Sequence, residues 1–162
     1  GLRSEQMLTV SVPPDVQETL RSALRTSGPN ECGGILMAEH IGPDHFMVRQ
    51  LTVQGGGRFA SFVRGTRTAF RALSQYFRQS GHDYTRFNYL GEWHSHPSFS
   101  VQPSSIDHRS MLDIVTNAKV GANFVVLLIF RLVDHEKLEG SAHTYFPDGT
   151  IAPSALVIEG ST

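Results

Sequence analysis

His94-Ser95-His96-Pro97 is followed by six residues, then Ser104, and Asp107 stands three positions further on. Two imidazoles and a carboxylate within fourteen positions are a donor set suited to a divalent metal. With this chain's composition, the five-residue pattern arises by chance in roughly one in ten thousand such sequences. Three protein ligands leave one tetrahedral position for water, the mark of a catalytic site rather than a closed structural one. The chemistry this points to is zinc-dependent hydrolysis.

The spacing carries the reading. Tyr89-Leu90-Gly91-Glu92-Trp93-His94-Ser95-His96 reads as a strand that ends at Pro97, which has no ladder donor. On a strand, residues i and i+2 share a face about 7 Å apart, so His94 and His96 can converge on one ion. Ser98 to Pro103 is rich in turn residues. Ser104-Ser105-Ile106-Asp107 then opens a helix with Met111, Leu112, Ile114 and Val115 as its apolar stripe. Ser104 with Asp107 three positions later also fits a plain helix N-terminus, a capping serine with an acid in the first turn. The two readings of Ser104 are compatible, and capping alone does not call for His-x-His-Pro upstream.

Hydrolysis needs a base for the attacking water, and Glu31 and Glu92 are the two candidates. Glu92 shares the strand face of His94 and His96, where it could orient a histidine. Glu31 opens Glu31-Cys32-Gly33-Gly34-Ile35-Leu36-Met37, an apolar run whose glycines allow close backbone approach. Spacing alone does not place Glu31 at the metal.

The set Glu31, His94-x-His96-Pro97, Ser104 and Asp107 resembles the JAMM motif of the JAB/MPN metalloprotease family. Glu31-Cys-Gly-Gly-Ile-Leu and Gly91-Glu-Trp-His-Ser-His-Pro are similar to its bacterial JAB-domain branch. The resemblance covers about residues 7–158, with short tails at 1–6 and 159–162. It implies a mixed α/β (α+β) fold, a curved mixed β-sheet flanked by helices. It also implies one Zn2+ per chain, held by His94, His96 and Asp107. Glu31 would then be the general base, and Ser104 would donate a hydrogen bond to the oxyanion. The implied reaction is cleavage after the C-terminal tail of a ubiquitin-like protein, in deconjugation or in precursor maturation. Related peptidases sit in operons with activating and conjugating enzymes, some of them in antiviral defence, and those enzymes are the implied partners. Two other readings are a hydrolase of a small amino-acid adduct on a sulfur-carrier protein and a non-catalytic scaffold subunit. The intact Glu31 and the open fourth position argue against the scaffold.

Elements able to position these residues follow from patterning. Met7–Val12 alternates as an edge-type strand, and Pro13-Pro14 leads into a helix over about Asp15–Thr26. Strands are predicted at Cys32–Glu39 and Phe46–Val53, joined by Gly42-Pro43-Asp44. A helix is expected near Thr66–Gln79, after Phe59–Val63. Phe124–Val133 and Leu138–Phe146 follow as strands, with a short final strand after Pro147-Asp148-Gly149. Trp93 alternates away from the histidines, into the core. Phe99 and Val101, in the loop beside the metal, are candidate substrate contacts. His40, His45, His82 and His135 read as solvent-exposed, His108 points away from Asp107, and the face taken by His143 is undetermined.

Composition narrows the rest. The chain has 162 residues, 40% hydrophobic and 18% charged, which suits one folded domain with a real core. A net charge of −1 offers no electrostatic footprint for nucleic acid. Arg58, Arg64, Arg67, Arg71 and Arg78 read as a solvated helix face. No apolar stretch reaches the 18 or so residues of a membrane span. There is no signal-peptide pattern, and Gly1-Leu2-Arg3-Ser4 reads as an appended remnant. The single Cys32 excludes an internal disulfide, in keeping with a reducing cytoplasm, and reads as a small buried residue rather than a nucleophile.

Overall fold

Proline and glycine set the element boundaries. The structure is a computed structural model that describes residues 7–54, 75, 78–83, 86–118 and 120–160. Pro14 occupies the first position of helix α1 (Pro14–Ser27), where its missing N–H costs nothing. Gly28 ends α1 with φ 57°, its N–H bonded to Leu24 O at 3.1 Å. Strands β1 (Thr9–Val12), β2 (Gly33–Gly42) and β3 (His45–Leu51) surround this helix in sequence. β4 (Phe87–Ser95), helix α2 (Ser105–Val115), β5 (Val125–Val133), β6 (Lys137–Tyr145) and β7 (Ile151–Ile158) complete the described elements. Each expected element among the described residues is present within a few residues of its predicted bounds. The helix expected at Thr66–Gln79, the segment Phe59–Val63 and all the named arginines except Arg78 lie outside the described residues, apart from a few positions near the helix end.

The sheet is mixed and closes on itself in the order β1-β3-β2-β4-β5-β6-β7. β1 is therefore no edge strand. It runs parallel to β3 through Thr9↔His45 and parallel to β7 through Thr9↔Ala155 to Val12↔Ile158. Closure removes the unpaired edge that the alternating sequence suggested. Ser11, which alternation would expose, is 2% exposed and bonds His45 Nε2 at 2.7 Å. His45 is thus half-buried rather than solvated, while His40 stays exposed and stacks on Phe46.

β4 and β5 are parallel, connected through α2, so β5 is covered on both faces. Val125 to Phe130 are all fully buried, as a doubly covered parallel strand requires. Val126, Leu128 and Phe130 pack with α1 and Trp93, while Val125, Leu127 and Ile129 pack with Met111, Ile114 and Val115 of α2. Two glycines are required by backbone approach. A Cβ on Gly34 would stand 2.0 Å from Thr52 O, and one on Gly91 would stand 1.9 Å from Val126 O.

Away from α2, the buried Glu39 takes Arg49 on one carboxylate oxygen and Arg86 on the other. Burial pushes the Glu39 carboxyl up, but the two guanidiniums outweigh it and hold the group below its ordinary 4.5. A depressed carboxylate stabilises the fold above its unfolded pKa and loses that contribution as pH falls. Glu39→Gln is expected to cost about 1–2 kcal/mol at neutral pH, since both arginines are partly solvated. In urea unfolding, this difference should hold down to about pH 5 and shrink below it. A difference unchanged at pH 3 would remove the ion pairs as its cause.

Candidate metal centre

The β4-α2-β5 crossover places the end of β4 beside the first turn of α2. Strand register then sorts the side chains into rows. Glu92 lies beside Leu127 and His143, and His94 beside Ile129 and Ser141, all on the face covered by α2. Trp93 falls on the opposite face, fully buried, with Nε1 donating to Thr52 O at 2.8 Å. It is a core residue, as alternation predicts.

α2 begins with a reciprocal cap. Ser104 Oγ accepts from Asp107 N at 3.1 Å, and Ser104 N donates to Asp107 Oδ2 at 2.8 Å. The cap turns the Asp107 carboxylate inward, where only 8% of the residue is exposed. Asp107 Oδ1 stands 3.2 Å from His94 Nδ1, and Oδ2 stands 3.5 Å from His96 Nε2. The expected trio therefore converges. Burial pushes Asp107 upward, yet the two imidazoles and the Ser104 N–H hold it well below the usual carboxylate range. Burial pushes both histidines down, but Asp107, with Glu92 for His94 and the Ser100 carbonyl for His96, raises them above 6.5 overall.

The tautomer of His96 follows from its partner. Its Nδ1 meets Ser100 O at 2.9 Å, and a carbonyl can only accept, so Nδ1 carries a hydrogen. Nε2 then presents a lone pair to a carboxylate unless a proton or a metal cation lies between them. Among the described residues, no three His, Cys, Asp or Glu side chains are arranged as a ready-made metal cage. The three groups meet instead as two close His–Asp contacts. The donor set still suits zinc by its chemistry, since two imidazoles and a carboxylate are ligands that ion accepts. The two rings approach different oxygens of the one carboxylate, His94 at Oδ1 and His96 at Oδ2.

Glu31 approaches through the β2–β4 pairing. Gly33 pairs with His94, and Cys32 exchanges bonds with Ser95, its O accepting from Ser95 N and its N donating to Ser95 Oγ, each at 2.8 Å. Glu31 thus falls opposite His96 and adds a small upward push to that imidazole. Glu92, 1% exposed, lies with Oε1 3.5 Å from His94 Nε2, the orienting position expected of it. Cys32 is fully buried. Ser104 is exposed, and the bond it accepts from Asp107 N leaves its hydroxyl hydrogen for another acceptor. Phe99 is 46% exposed and stacks on the His96 ring at 4.2 Å. Val101 instead packs against the α2–β5 cluster.

Several groups around the trio escaped the reading of residues alone. His143 takes the α2 face, with Nε2 2.8 Å from Ser141 Oγ; burial and the neighbouring His108 push it down to about 4. His108 turns from the site to bond Tyr145 through Nδ1 at 2.8 Å, and burial holds the Tyr145 hydroxyl well above its ordinary 10. The alternation Glu139, Ser141, His143, Tyr145 was visible, but not which layer would cover it. Among the described residues, no helix is long and apolar enough to cross a membrane.

A family profile described as prokaryotic homologs of the JAB domain matches residues 13–141. A curated protein of Enterobacter hormaechei subsp. hoffmannii (strain UCI 50), named CD-NTase/cGAS isopeptidase, is 30% identical over 116 residues, 69% of this chain and 61% of its own. The chain thus spans about three-fifths of that relative's length. A solution structure from Desulfitobacterium hafniense aligns with TM-score 0.66 at 20% identity, covering 94% of both chains. Another from Salinibacter ruber aligns with TM-score 0.55 at 15% identity, covering 93% of this chain and 92% of that one. At these identities the two structures speak for the fold alone.

Proposed function

We propose, from the premise that this chain belongs to the prokaryotic JAB-domain family, that it is a zinc-dependent isopeptidase acting on the C-terminal tail of a ubiquitin-like protein. The observation that carries this reading is the convergence of two imidazoles on one buried, capped carboxylate, with Glu31 brought opposite His96. The relative from Enterobacter, named an isopeptidase, supports an isopeptide bond as the target. The acceptor would be a conjugated protein, and activating and conjugating enzymes would be functional partners.

His94, His96 and Asp107 would hold the ion. When bound, zinc lowers the pKa of water to about 7 and polarises a carbonyl. Glu31 takes the proton of the attacking water and returns it to the leaving amine. Ser104 donates its free hydroxyl hydrogen to the oxygen of the scissile carbonyl, a contribution of about 3–4 kcal/mol in the transition state. Glu92 holds the far nitrogen of His94, fixing its ring. Phe99, exposed over His96, lines the approach of the tail.

Incubation of ubiquitin-like C-terminal fusions with the protein, with and without a zinc chelator, tests the reading. Cleavage directly after the modifier tail, abolished by the chelator and restored by zinc, is the expected result. A zinc-loaded protein that spares every fusion but releases an amino acid from a sulfur-carrier adduct would replace the substrate class. A protein that takes up no zinc would sink the mechanism.

A further inference from the structure

Three successive carbonyls of the loop between Pro97 and Ser104 are each held by a different element. Arg131 Nη1 of β5 reaches Phe99 O at a long 3.4 Å, and Arg131 is itself paired with Glu139 at 3.0 Å. His96 Nδ1 donates to Ser100 O at 2.9 Å. Ser141 Oγ of β6 donates to Val101 O. The direction of this last bond is forced. A carbonyl only accepts, so the one hydroxyl hydrogen of Ser141 goes to Val101, and His143 Nε2, 2.8 Å away, donates into Ser141 Oγ. The Ser100 carbonyl, which sets the His96 tautomer, is therefore flanked on both sides by pinned peptides. The Arg131 bond is long and its guanidinium is shared with Glu139, which leaves Ser141 as the firm anchor.

We propose that Ser141 is a positioning residue for His96: by pinning the Val101 carbonyl it keeps the Ser100 carbonyl under His96 Nδ1, so that Nε2 faces Asp107. The same anchor fixes the loop that lays Phe99 on the His96 ring at 4.2 Å. The inference rests on His96 being a metal ligand, as proposed above, but the hydrogen-bond chain stands without the ion.

The test uses the metal-free protein first. Long-range 1H–15N NMR of the imidazoles, recorded above the pH at which the His96 nitrogens stop titrating, should show a fixed Nδ1–H tautomer in the parent protein. Ser141→Ala should move both His96 nitrogens toward the averaged values of a free ring, and Ser141→Thr should restore them. Thr144→Val removes another β6 hydroxyl, one bonded to Ser154, and should leave the His96 signals in place. Ser141→Cys, which keeps the volume with a weak donor, replaces the alanine variant if that one fails to fold. Zinc competition with a chelator should then show Ser141→Ala weakened about tenfold, the low end for loss of an outer support. Unchanged His96 nitrogens in Ser141→Ala, or an equal shift in Thr144→Val, overturn the positioning role. An NMR shift in a protein that takes up no zinc keeps that role and removes the metal reading instead.

Discussion

Glu31→Gln is expected to lower turnover by about 10²–10⁴-fold while fold and zinc uptake persist. The amide keeps the size of the carboxylate but cannot take a proton. Glu31 lies opposite His96 and is only half-buried, so the substitution disturbs little packing. Loss of the base therefore separates cleanly from loss of structure. Glu92 is the internal comparison. It is 1% exposed against His94, so Glu92→Gln should act on the orientation of that ring and cost less, about 10–100-fold. The check is single-turnover cleavage of one fusion by both variants, with zinc content measured on the same samples. Normal turnover in Glu31→Gln would move the base elsewhere, with Glu92 first in line.

Asp107→Asn has the second large effect, on metal and on the fold together. Asp107 touches both imidazoles and closes the α2 cap, so one change removes a ligand and a buried counter-charge. Zinc affinity should fall by more than the 10–100-fold typical of losing an outer-shell partner. In the metal-free protein the loss is electrostatic, and its pH dependence follows from the direction of each shift. The depressed Asp107 stabilises above its unfolded value of 3.8 and loses this as pH falls. The raised histidines stabilise below their unfolded 6.5 and lose this as pH rises through their folded values. The stability difference between parent and Asp107→Asn should therefore peak between about pH 4 and 6.5 and narrow on both sides, by denaturant unfolding with chelator present. A difference that only grows toward alkaline pH would assign the effect to the cap rather than to the imidazoles.

The local geometry of the centre was written in the sequence. The i, i+2 spacing of His94 and His96 on a strand, Pro97 stopping it, and Ser104 with Asp107 opening a helix each depend on residues within a turn or a pleat of one another. The apolar run Phe124–Phe130 likewise suits a buried strand, and Val125 to Phe130 are fully buried. What the tertiary structure decided is non-local. Period-2 patterning says which side chains share a face, but not which layer covers it, so His143 and Ser141 could not be assigned to the α2 side. Alternation in β1 suggested an edge, and only its pairing with both β3 and β7 turned the sheet into a closed barrel. Glu31 falls opposite His96 through the β2–β4 register, in which Cys32 and Ser95, 63 residues apart, lock together. Such a register is set by packing and hydrogen bonding summed over both strands, and no short stretch of chain contains that sum.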